Sequence, residues 1–241
     1  MPLRLSVPLG APGPAQDASP GEGTPERRAA EVPEATVGRL PLYRQVLGQL
    51  TDEGTATVSS QRLADLSGVT SAQLRKDLSY LGSFGTRGVG YDVAFLHSRI
   101  SEALGVAELL DVVIVGVGNL GHALASYRGL EDRGFRVVGL VDIDPSRVGL
   151  RVQVGDGELG VSPLSALPEV ARHAHIAVIA TPDAAAQSVC DRLVAAGVRS
   201  ILTFAPGPLS VPPGVEVRRV DVGLELQILA FRERRLGAVG A

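Results

Sequence analysis

A glycine-rich turn in the second half of the chain restricts the possible fold more than any other feature. An apolar run at 112–115 precedes the turn, and a pattern of helical spacing at 119–132 follows it. A strand, a G-x-G-x-x-G turn and a helix in this order are typical of a dinucleotide-binding unit. The first glycine permits a tight turn, the second lets the backbone approach a pyrophosphate, and the third lets the helix pack against the strand. The predicted pyrophosphate-binding residues are Gly116, Val117, Gly118, Asn119, Leu120 and Gly121.

An acidic residue at the end of the next apolar run supports this interpretation. Asp142 follows the run 137–141 and lies 21 residues after Gly121, near the separation at which dinucleotide-binding proteins place a ribose-binding acid. We expect its carboxylate to accept hydrogen bonds from the adenine-ribose hydroxyls and to repel a 2′-phosphate. The sequence therefore favours NAD over NADP, although Arg147 nearby would weaken that preference.

The rest of the second half alternates apolar runs with helical patterns. The further apolar runs lie at 176–180, 201–204 and 215–220, and the helical patterns at 164–172 and 183–196. Strands that are apolar on both faces belong to a parallel sheet that helices cover on both sides. We therefore predict an α/β protein with a Rossmann-like, doubly wound parallel sheet over 106–220 and a C-terminal helix within 221–241. The residues predicted to line the ligand crevice at the strand ends are Thr181, Pro182, Ala205 and Pro206.

The first half of the chain is organised differently. Residues 1–36 are rich in proline, glycine, alanine and glutamate without a periodic apolar pattern, so we predict a disordered tail. The segment 37–105 predicts helices, two of which are joined by a turn at Gly68 as in a helix-turn-helix. The glycine-rich segment 83–91 predicts a β-hairpin, the wing of a winged helix, and a connecting helix follows at 93–104. The buried positions expected in these helices are Leu40, Tyr43, Val46, Leu47, Leu50, Leu74, Leu78, Leu81, Phe95, Leu96, Ile100 and Leu104.

One face of the third helix carries the side chains that DNA-binding proteins use. With its leucines inward, the helix would expose two cations, and arginine and lysine bind guanine or phosphate. The net charge of −3 means that any DNA binding depends on this local patch. An ordinary solvated helix face is the alternative. The predicted DNA-binding residues are Gln73, Arg75, Lys76, Ser79 and Tyr80, with Arg87 at the tip of the hairpin.

Residues suited to catalysis are scarce. The four histidines stand where structural or solvated roles are expected, and the single cysteine, Cys190, lies on the predicted buried face of a helix. One cysteine excludes a cysteine-rich metal site, and we predict no metal. From the positions of the histidines and of Cys190 we also predict no catalytic residue. The absence of a long apolar run and of a secretory signal pattern indicates a cytoplasmic protein. Two alternatives to an NAD-sensing regulator stay open: a small NAD-dependent oxidoreductase, and a regulator that binds coenzyme A or another nucleotide.

Several motifs together resemble one family. The segments 73–82 (QLRKDLSYLG) and 85–91 (GTRGVGY), with the glycine-rich turn, are similar to those of the Rex family of bacterial redox-sensing repressors, and the likeness runs from Arg39 to Gln227. The resemblance implies a homodimer in which the final helix is exchanged between subunits. It also implies that NADH and NAD⁺ are sensed ligands, of which NADH releases the protein from operator DNA and NAD⁺ permits binding. Two recognition helices related by dimer symmetry would read an inverted repeat.

The same resemblance assigns roles to residues outside the glycine-rich turn. Tyr127 and Asp221 are expected near the nicotinamide and the domain interface, and Val222 beside the nicotinamide. Family members usually carry, in the first helix, an arginine that pairs with the aspartate matching Asp221, whereas this chain has Gln45 there. Either the adjacent Arg44 makes a substitute contact with Asp221 of the partner subunit, which we favour, or this contact is weaker in this chain.

Overall fold

The computed structural model describes residues 32–86 and 88–239, with side chains as far as Arg234. The chain divides into two units, Met1–Glu108 and Leu109–Ala241, each with its own apolar core. The division falls close to the predicted domain boundary after residue 105.

Short helices and a two-stranded ribbon build the first unit. Its described elements are α1 (Glu34–Val37), α2 (Leu40–Asp52), β1 (Thr57–Val58), α3 (Ser60–Leu66), α4 (Ser71–Ser79), β2 (Tyr91–Asp92) and α5 (Val93–Ala103). The five apolar positions predicted for the first long helix are all buried in α2. Ser59 and Thr70 begin α3 and α4, because each hydroxyl accepts a hydrogen bond from a backbone N–H three residues later. Gly68, with φ of +68°, makes the turn between them, which confirms the helix-turn-helix.

The first unit begins earlier in the sequence than its composition predicts. Helix α1 lies inside the segment assigned to a disordered tail, and Val32 and Thr36 are buried. The tail prediction is therefore wrong for residues 32–36, while residues 1–31 lie outside the described residues. Composition does not reveal this anchoring because it comes from a tertiary contact, the hydrogen bond from the Thr36 hydroxyl to Asp77.

Within the described residues, the predicted hairpin at 83–91 contains one antiparallel bridge. Thr86 and Gly90 exchange two backbone hydrogen bonds of 3.0 Å, and Gly88 between them has φ of +83°. The outgoing chain pairs with β1 instead, since β2 lies antiparallel to that strand. The prediction that Phe95 faces the core is also wrong. Phe95 is 53% exposed and contacts the Phe84 ring edge-on, because Leu96 and not its neighbour points into the core.

A seven-stranded sheet forms the centre of the second unit. Its strands are β3 (Leu110–Val115), β4 (Phe135–Asp142), β5 (Arg151–Val154), β6 (Gly157–Pro163), β7 (Ile176–Ile179), β8 (Ser200–Thr203) and β9 (Glu216–Arg219). Their order is β5-β6-β4-β3-β7-β8-β9, and every neighbouring pair is parallel except β5 with β6. The predicted parallel sheet is confirmed. The β5–β6 hairpin was not predicted, since its short strands carry no continuous apolar run.

Helices cover both faces of this sheet. They are α6 (Asn119–Ala125), α7 (Leu167–Val170) and α8 (Asp183–Ala195), whereas the terminal α9 (Val222–Val239) is exposed along all of its described side chains. Leu167 of α7 and Leu193 of α8 belong to one core, while Ala125 of α6 belongs to the other, which confirms the doubly wound arrangement. Two predicted helices are shorter than expected. The pattern at 119–132 divides into α6 and a 3-10 helix at Arg128–Arg133, and a 3-10 turn precedes α7.

Candidate functional sites

The outward face of α4 is the first candidate site. Because Leu74 and Leu78 are buried, Arg75 and Lys76 point to solvent. The Arg75 guanidinium donates a hydrogen bond of 3.1 Å to the Ser60 hydroxyl at the start of α3. The second helix of the helix-turn-helix therefore presents two cations from a rigid element, as a recognition helix does.

The remaining predicted residues of this face are placed less uniformly. The exposed Ser79 hydroxyl donates to the Lys76 carbonyl at 2.7 Å, and Tyr80 is half-buried at the C-terminal end of the helix. Gln73 is half-buried too. Arg87, the predicted contact from the wing, lies outside the described residues. Contact of each of these side chains with DNA stays a prediction.

A groove of about 670 Å³ lies between α4 and the wing. Its polar lining includes Ser59, Ser60, Arg75, Ser79, Ser83 and Thr86. Gly90 holds the wing close, because a Cβ at this position would lie 2.4 Å from the carbonyl oxygen of Val58 in β1. The groove combines hydroxyl groups and a cation, which suits the oxygen atoms of a nucleic-acid backbone.

A buried carboxylate lies beneath the outward face of α4. Asp77 accepts hydrogen bonds from Arg39 at 2.7 and 2.8 Å, from the Tyr43 hydroxyl at 2.7 Å, from the Thr36 hydroxyl at 3.0 Å and from the Gln73 amide at 2.8 Å. Burial raises the pKa of Asp77, but these hydrogen bonds outweigh it and bring the pKa to about 2. Asp77 was not among the predicted site residues, since a lone aspartate in a polar helix carries no signal of burial.

The glycine-rich turn is the second candidate site, and its three glycines differ in the way the motif predicts. Gly116 has φ of +94°, and a Cβ there would lie 2.7 Å from the Ala180 carbonyl oxygen. A Cβ on Gly121 would lie 1.8 Å from the Gly116 carbonyl oxygen, so helix α6 packs directly on the turn. A Cβ on Gly118 would meet nothing within 4 Å. The open side of the turn is therefore where a ligand can approach the backbone.

Asp142 at the end of β4 holds this turn in place. One carboxylate oxygen accepts the Val117 N–H at 2.6 Å and the other accepts the Asp144 N–H at 2.9 Å, and the residue is 8% exposed. Arg147 donates to the Val117 carbonyl at 2.7 Å, so its guanidinium also serves the turn. Asp142 therefore also has a structural task that the motif did not predict, and its contact with the ribose stays a prediction.

The other predicted crevice residues follow neighbouring strands at the same edge of the sheet. Thr181 and Pro182 follow β7, and Ala205 and Pro206 follow β8. The chain leaves β3 in opposite directions to β4 and β7, and open α/β sheets bind ligands at such a reversal. Within the described residues, the buried Thr181 hydroxyl has no hydrogen-bond partner.

The residues assigned by resemblance lie apart from the glycines along the chain. Tyr127 is 50% exposed beneath the Arg133 guanidinium, which donates to its hydroxyl at 3.0 Å. Asp221 begins α9 by accepting the Leu224 N–H at 3.0 Å, and Val222 is 61% exposed. Arg44 donates to the Ser101 hydroxyl at 2.9 Å. The roles of Tyr127, Asp221, Val222 and Arg44 in switching stay predictions.

Ile143 is a candidate that sequence reasoning missed. It directly follows Asp142 and is 75% exposed at the carboxyl end of β4. An exposed isoleucine beside the predicted ribose-binding acid offers an apolar surface to an adenine ring. The available signal was its position, one residue after the acid that the motif identifies.

The described residues contain no cluster of side chains suited to a metal ion, and no described helix is long and apolar enough to cross a membrane. Cys190 is buried, and burial raises the pKa of its thiol. The thiol is therefore held in its unreactive form.

Comparisons with known proteins agree with this division into two sites. A family model described as "Putative DNA-binding protein N-terminus" matches residues 31–79, and one described as "CoA binding domain" matches residues 108–207. The chain is 55% identical over 213 residues to the redox-sensing transcriptional repressor Rex of Streptomyces avermitilis, covering 88% of this chain and 83% of that protein. It is 47% identical over 207 residues to the Rex of Carboxydothermus hydrogenoformans, covering 85% of this chain and 98% of that protein.

Solved structures give the same answer. RSP in complex with β-NAD⁺ and operator DNA has a TM-score of 0.78 and 33% identity, over 87% of this chain and 95% of RSP. RSP in complex with β-NADH has a TM-score of 0.75 and 31% identity, over 87% of this chain and 97% of RSP. A helix-turn-helix unit and a dinucleotide-type unit in one chain define the class of nucleotide-responsive transcription regulators. At these identities and coverages, the chain belongs to the Rex family of redox-sensing transcriptional repressors.

Proposed function

We propose that this protein represses transcription by binding operator DNA and leaves the DNA when NADH replaces NAD⁺. The observation that carries the proposal is that RSP, a Rex-family repressor similar to this chain along 87% of its length, forms complexes with NAD⁺ and operator DNA and with NADH. The two candidate sites described above supply the corresponding surfaces here. The nucleotide is then a signal and not a reagent.

The first unit provides the DNA contacts in this proposal. Arg75 and Lys76 bind guanine or phosphate, Ser79 and Tyr80 bind the backbone, and Gln73 reads a base edge. Arg87 adds a contact from the wing. Two cations on α4 are a modest charge for a DNA-binding protein of net charge −3, so the proposal includes two copies of the helix.

The second unit provides the nucleotide contacts. The pyrophosphate lies over Gly118 and bonds to the backbone N–H groups of the turn, while Asp142 binds the adenine ribose and Ile143 contacts the adenine. The nicotinamide extends toward the ends of β7 and β8. The residues proposed to line that end are Thr181, Pro182, Ala205, Pro206 and Tyr127.

The protein acts as a homodimer in this proposal, with α9 packed on the partner subunit. Six large apolar side chains of α9 are 40–64% exposed in the single chain, which favours a second surface that covers them. Those residues are Val222, Leu224, Leu226, Ile228, Leu229 and Phe231. In this dimer, Asp221 lies within reach of Arg44 of the partner subunit. The two recognition helices read an inverted repeat. The protein acts in the cytoplasm, where the chromosome lies.

Two other functions compete with this proposal. The match to the coenzyme A domain description favours a coenzyme A-binding regulator, whereas the glycine-rich turn also suits an NAD-dependent oxidoreductase. Among the described residues we identify no group of side chains suited to proton transfer during hydride chemistry, and no separate domain for a substrate. The names of the relatives favour the repressor.

One experiment separates the three functions. Operator DNA selected by the protein from a random pool is labelled, and its fluorescence anisotropy is followed while NADH, NAD⁺, NADPH or coenzyme A is added. We expect NADH alone to release the DNA at low concentration, with no loss of the nicotinamide absorbance. Release by coenzyme A, or consumption of NADH with candidate substrates, would replace the proposed function by one of its competitors.

A further inference from the structure

The recognition helix contains a buried acid that DNA contact itself does not require. Asp77 is fully buried on the inner face of α4, between Leu74 and Leu78. A buried charge is costly even when it is paired, and an apolar side chain of similar size often packs there at least as stably. The presence of a carboxylate at this position therefore points to a task besides filling the core.

The partners of Asp77 fix its position from several elements. Thr36 donates from α1, Arg39 from the residue before α2, and Tyr43 from within α2. Each of these donors lies at least 34 residues away in sequence. Because donors from α1 and from the beginning of α2 bind the carboxylate, it has one orientation. The same contacts fix the position of α4, the helix that carries Asp77.

The fourth partner, Gln73, is one of the predicted DNA-binding residues. Gln73 lies one helical turn before Asp77 and donates its amide N–H to the carboxylate at 2.8 Å. An ionised carboxylate only accepts hydrogen bonds, so the NH₂ end of the Gln73 amide must point to Asp77. The Gln73 carbonyl oxygen then points away, and within the described residues it accepts no hydrogen bond.

A second glutamine in the same unit shows what this arrangement adds. Gln61 donates to Asp65 in α3 with the same spacing and the same distance of 2.8 Å. That pair is exposed, and among the described residues the Asp65 carboxylate accepts no other hydrogen bond. The Gln61 amide is therefore free to turn, whereas the Gln73 amide is held.

We propose that Asp77 is a positioning residue for operator recognition, which holds the Gln73 amide in one orientation so that Gln73 reads one base pair. The proposal rests on the proposed function, since it assumes that α4 enters the major groove. The amide keeps one N–H and its oxygen, the donor and acceptor that glutamine uses to bind adenine. Residues 32–36, which the composition assigns to a tail, become part of the DNA-reading unit through Thr36, and Arg39 adds a second contact from the residues that follow.

The test compares base preference in a double-mutant cycle. The operator selected by the wild-type chain and its variants with each base pair of a half-site replaced are titrated with wild type, Gln73→Ala, Asp77→Asn and the double variant. Asparagine at position 77 both donates and accepts, so it no longer dictates which end of the Gln73 amide faces it. Asp65→Asn is the matched control, and thermal unfolding is followed for every variant.

We expect Gln73→Ala to lose about tenfold discrimination at one base pair, in line with the loss of a paired base contact. Asp77→Asn loses discrimination severalfold at the same base pair, and the double variant is no worse there than Gln73→Ala. Asp65→Asn keeps the wild-type preference. Unchanged preference in Asp77→Asn, or additive losses in the double variant, would overturn the proposal. If the wild type selects no DNA, the proposed function fails instead.

A measurement on the wild-type protein covers the case in which Asp77→Asn does not fold. In ¹⁵N–¹H spectra we expect the side-chain N–H of Gln73 that faces Asp77 to be shifted downfield and protected from exchange with water, while both side-chain N–H groups of Gln61 exchange rapidly. Equal shifts and equal exchange rates in the two glutamines would show that Asp77 does not hold the Gln73 amide, and would overturn the proposal.

Discussion

The two candidate sites are built from different parts of the chain. The α4 face presents side chains, with Arg75 and Lys76 outside and the Asp77 cluster beneath. The nucleotide crevice is made largely of backbone, where Gly116 and Gly121 permit contacts that any Cβ would prevent. In the first site a side chain can be removed without loss of the helix. In the second, a single carbon added at Gly116 or Gly121 would collide with the backbone that forms the site.

This difference has a functional reason. Phosphate groups are bound well by backbone N–H groups, which every residue supplies once the chain approaches closely enough. Base pairs differ only in the donors and acceptors on their edges, so reading them needs particular side chains in fixed positions. We therefore expect substitutions in the crevice to act through steric collisions. Substitutions on α4 should act through the loss of hydrogen-bonding or charged groups.

The largest effect is expected at Gly121. Gly121→Ala places a methyl group on the Gly116 carbonyl oxygen, so it should lower the free energy of unfolding of the second unit by about 3 kcal/mol or more and abolish NADH binding. Thermal unfolding and calorimetric titration with NADH check both effects.

Gly118→Ala is the matched control, since the new methyl group meets no protein atom within 4 Å. We expect its stability to stay within about 0.5 kcal/mol of wild type while NADH binding weakens at least about tenfold. Wild-type NADH affinity in Gly118→Ala would mean that the open side of the turn is not the ligand's approach.

The next largest effect concerns acid stability of the first unit. The pKa of Asp77 is about 2 in the folded chain against 3.8 ordinarily, so the stability it contributes is present above about pH 4 and is lost as the pH falls toward 2. Each pKa unit corresponds to about 1.4 kcal/mol, which gives a loss of about 2 kcal/mol. Urea unfolding followed through NMR signals of α4 measures it. Asp77→Asn should lack this pH dependence and Asp65→Asn should keep it; an identical acid response in all three would contradict the cluster.

Asp142→Asn tests the crevice more gently. Asparagine keeps one acceptor for the Val117 N–H but removes the charge that repels a 2′-phosphate, so the preference for NADH over NADPH should fall by about tenfold. Competition titrations measure the preference, with thermal unfolding as the control for the turn. Alanine is a poorer choice because it also releases the turn. Unchanged selectivity would assign the ribose contact to another residue.

The smallest effect is expected from single cations on α4. Arg75→Ala or Lys76→Ala should reduce the dependence of the logarithm of DNA affinity on the logarithm of salt concentration by about one if the residue binds phosphate. If it binds a base, discrimination at one position should decrease instead. Anisotropy titrations at several salt concentrations distinguish the two results, and wild-type behaviour of both variants would remove α4 from the interface.

The backbone-built site was the easier one to predict from the sequence. The positions of glycines and of Asp142 follow from sterics and from one motif, and the apolar runs locate four of the central strands. The pattern at 119–132 misled because Ser126 and Tyr127 interrupt a helix that periodicity alone continues. Strands β5 and β6 gave no signal because they form a short hairpin that contains no continuous apolar run.

The side-chain-built site was predicted only in outline. Helical spacing identified the exposed face of α4, since it needs only local periodicity. It did not identify the Asp77 cluster, whose donors other than Gln73 lie 34 to 41 residues away and meet only after folding. The same long-range contacts explain why Thr36 appeared to belong to a tail. A polar residue in a polar helix carries no local mark of burial.

The central claim is that the nucleotide in the crevice controls occupancy of DNA by α4. The most direct test holds the total of NADH and NAD⁺ constant and varies their ratio while operator anisotropy is recorded. We predict that the operator is bound when NAD⁺ predominates and is released progressively as the NADH fraction rises, with release lost in Gly118→Ala. Operator binding that is independent of the ratio, in a protein that binds NADH, would contradict the account.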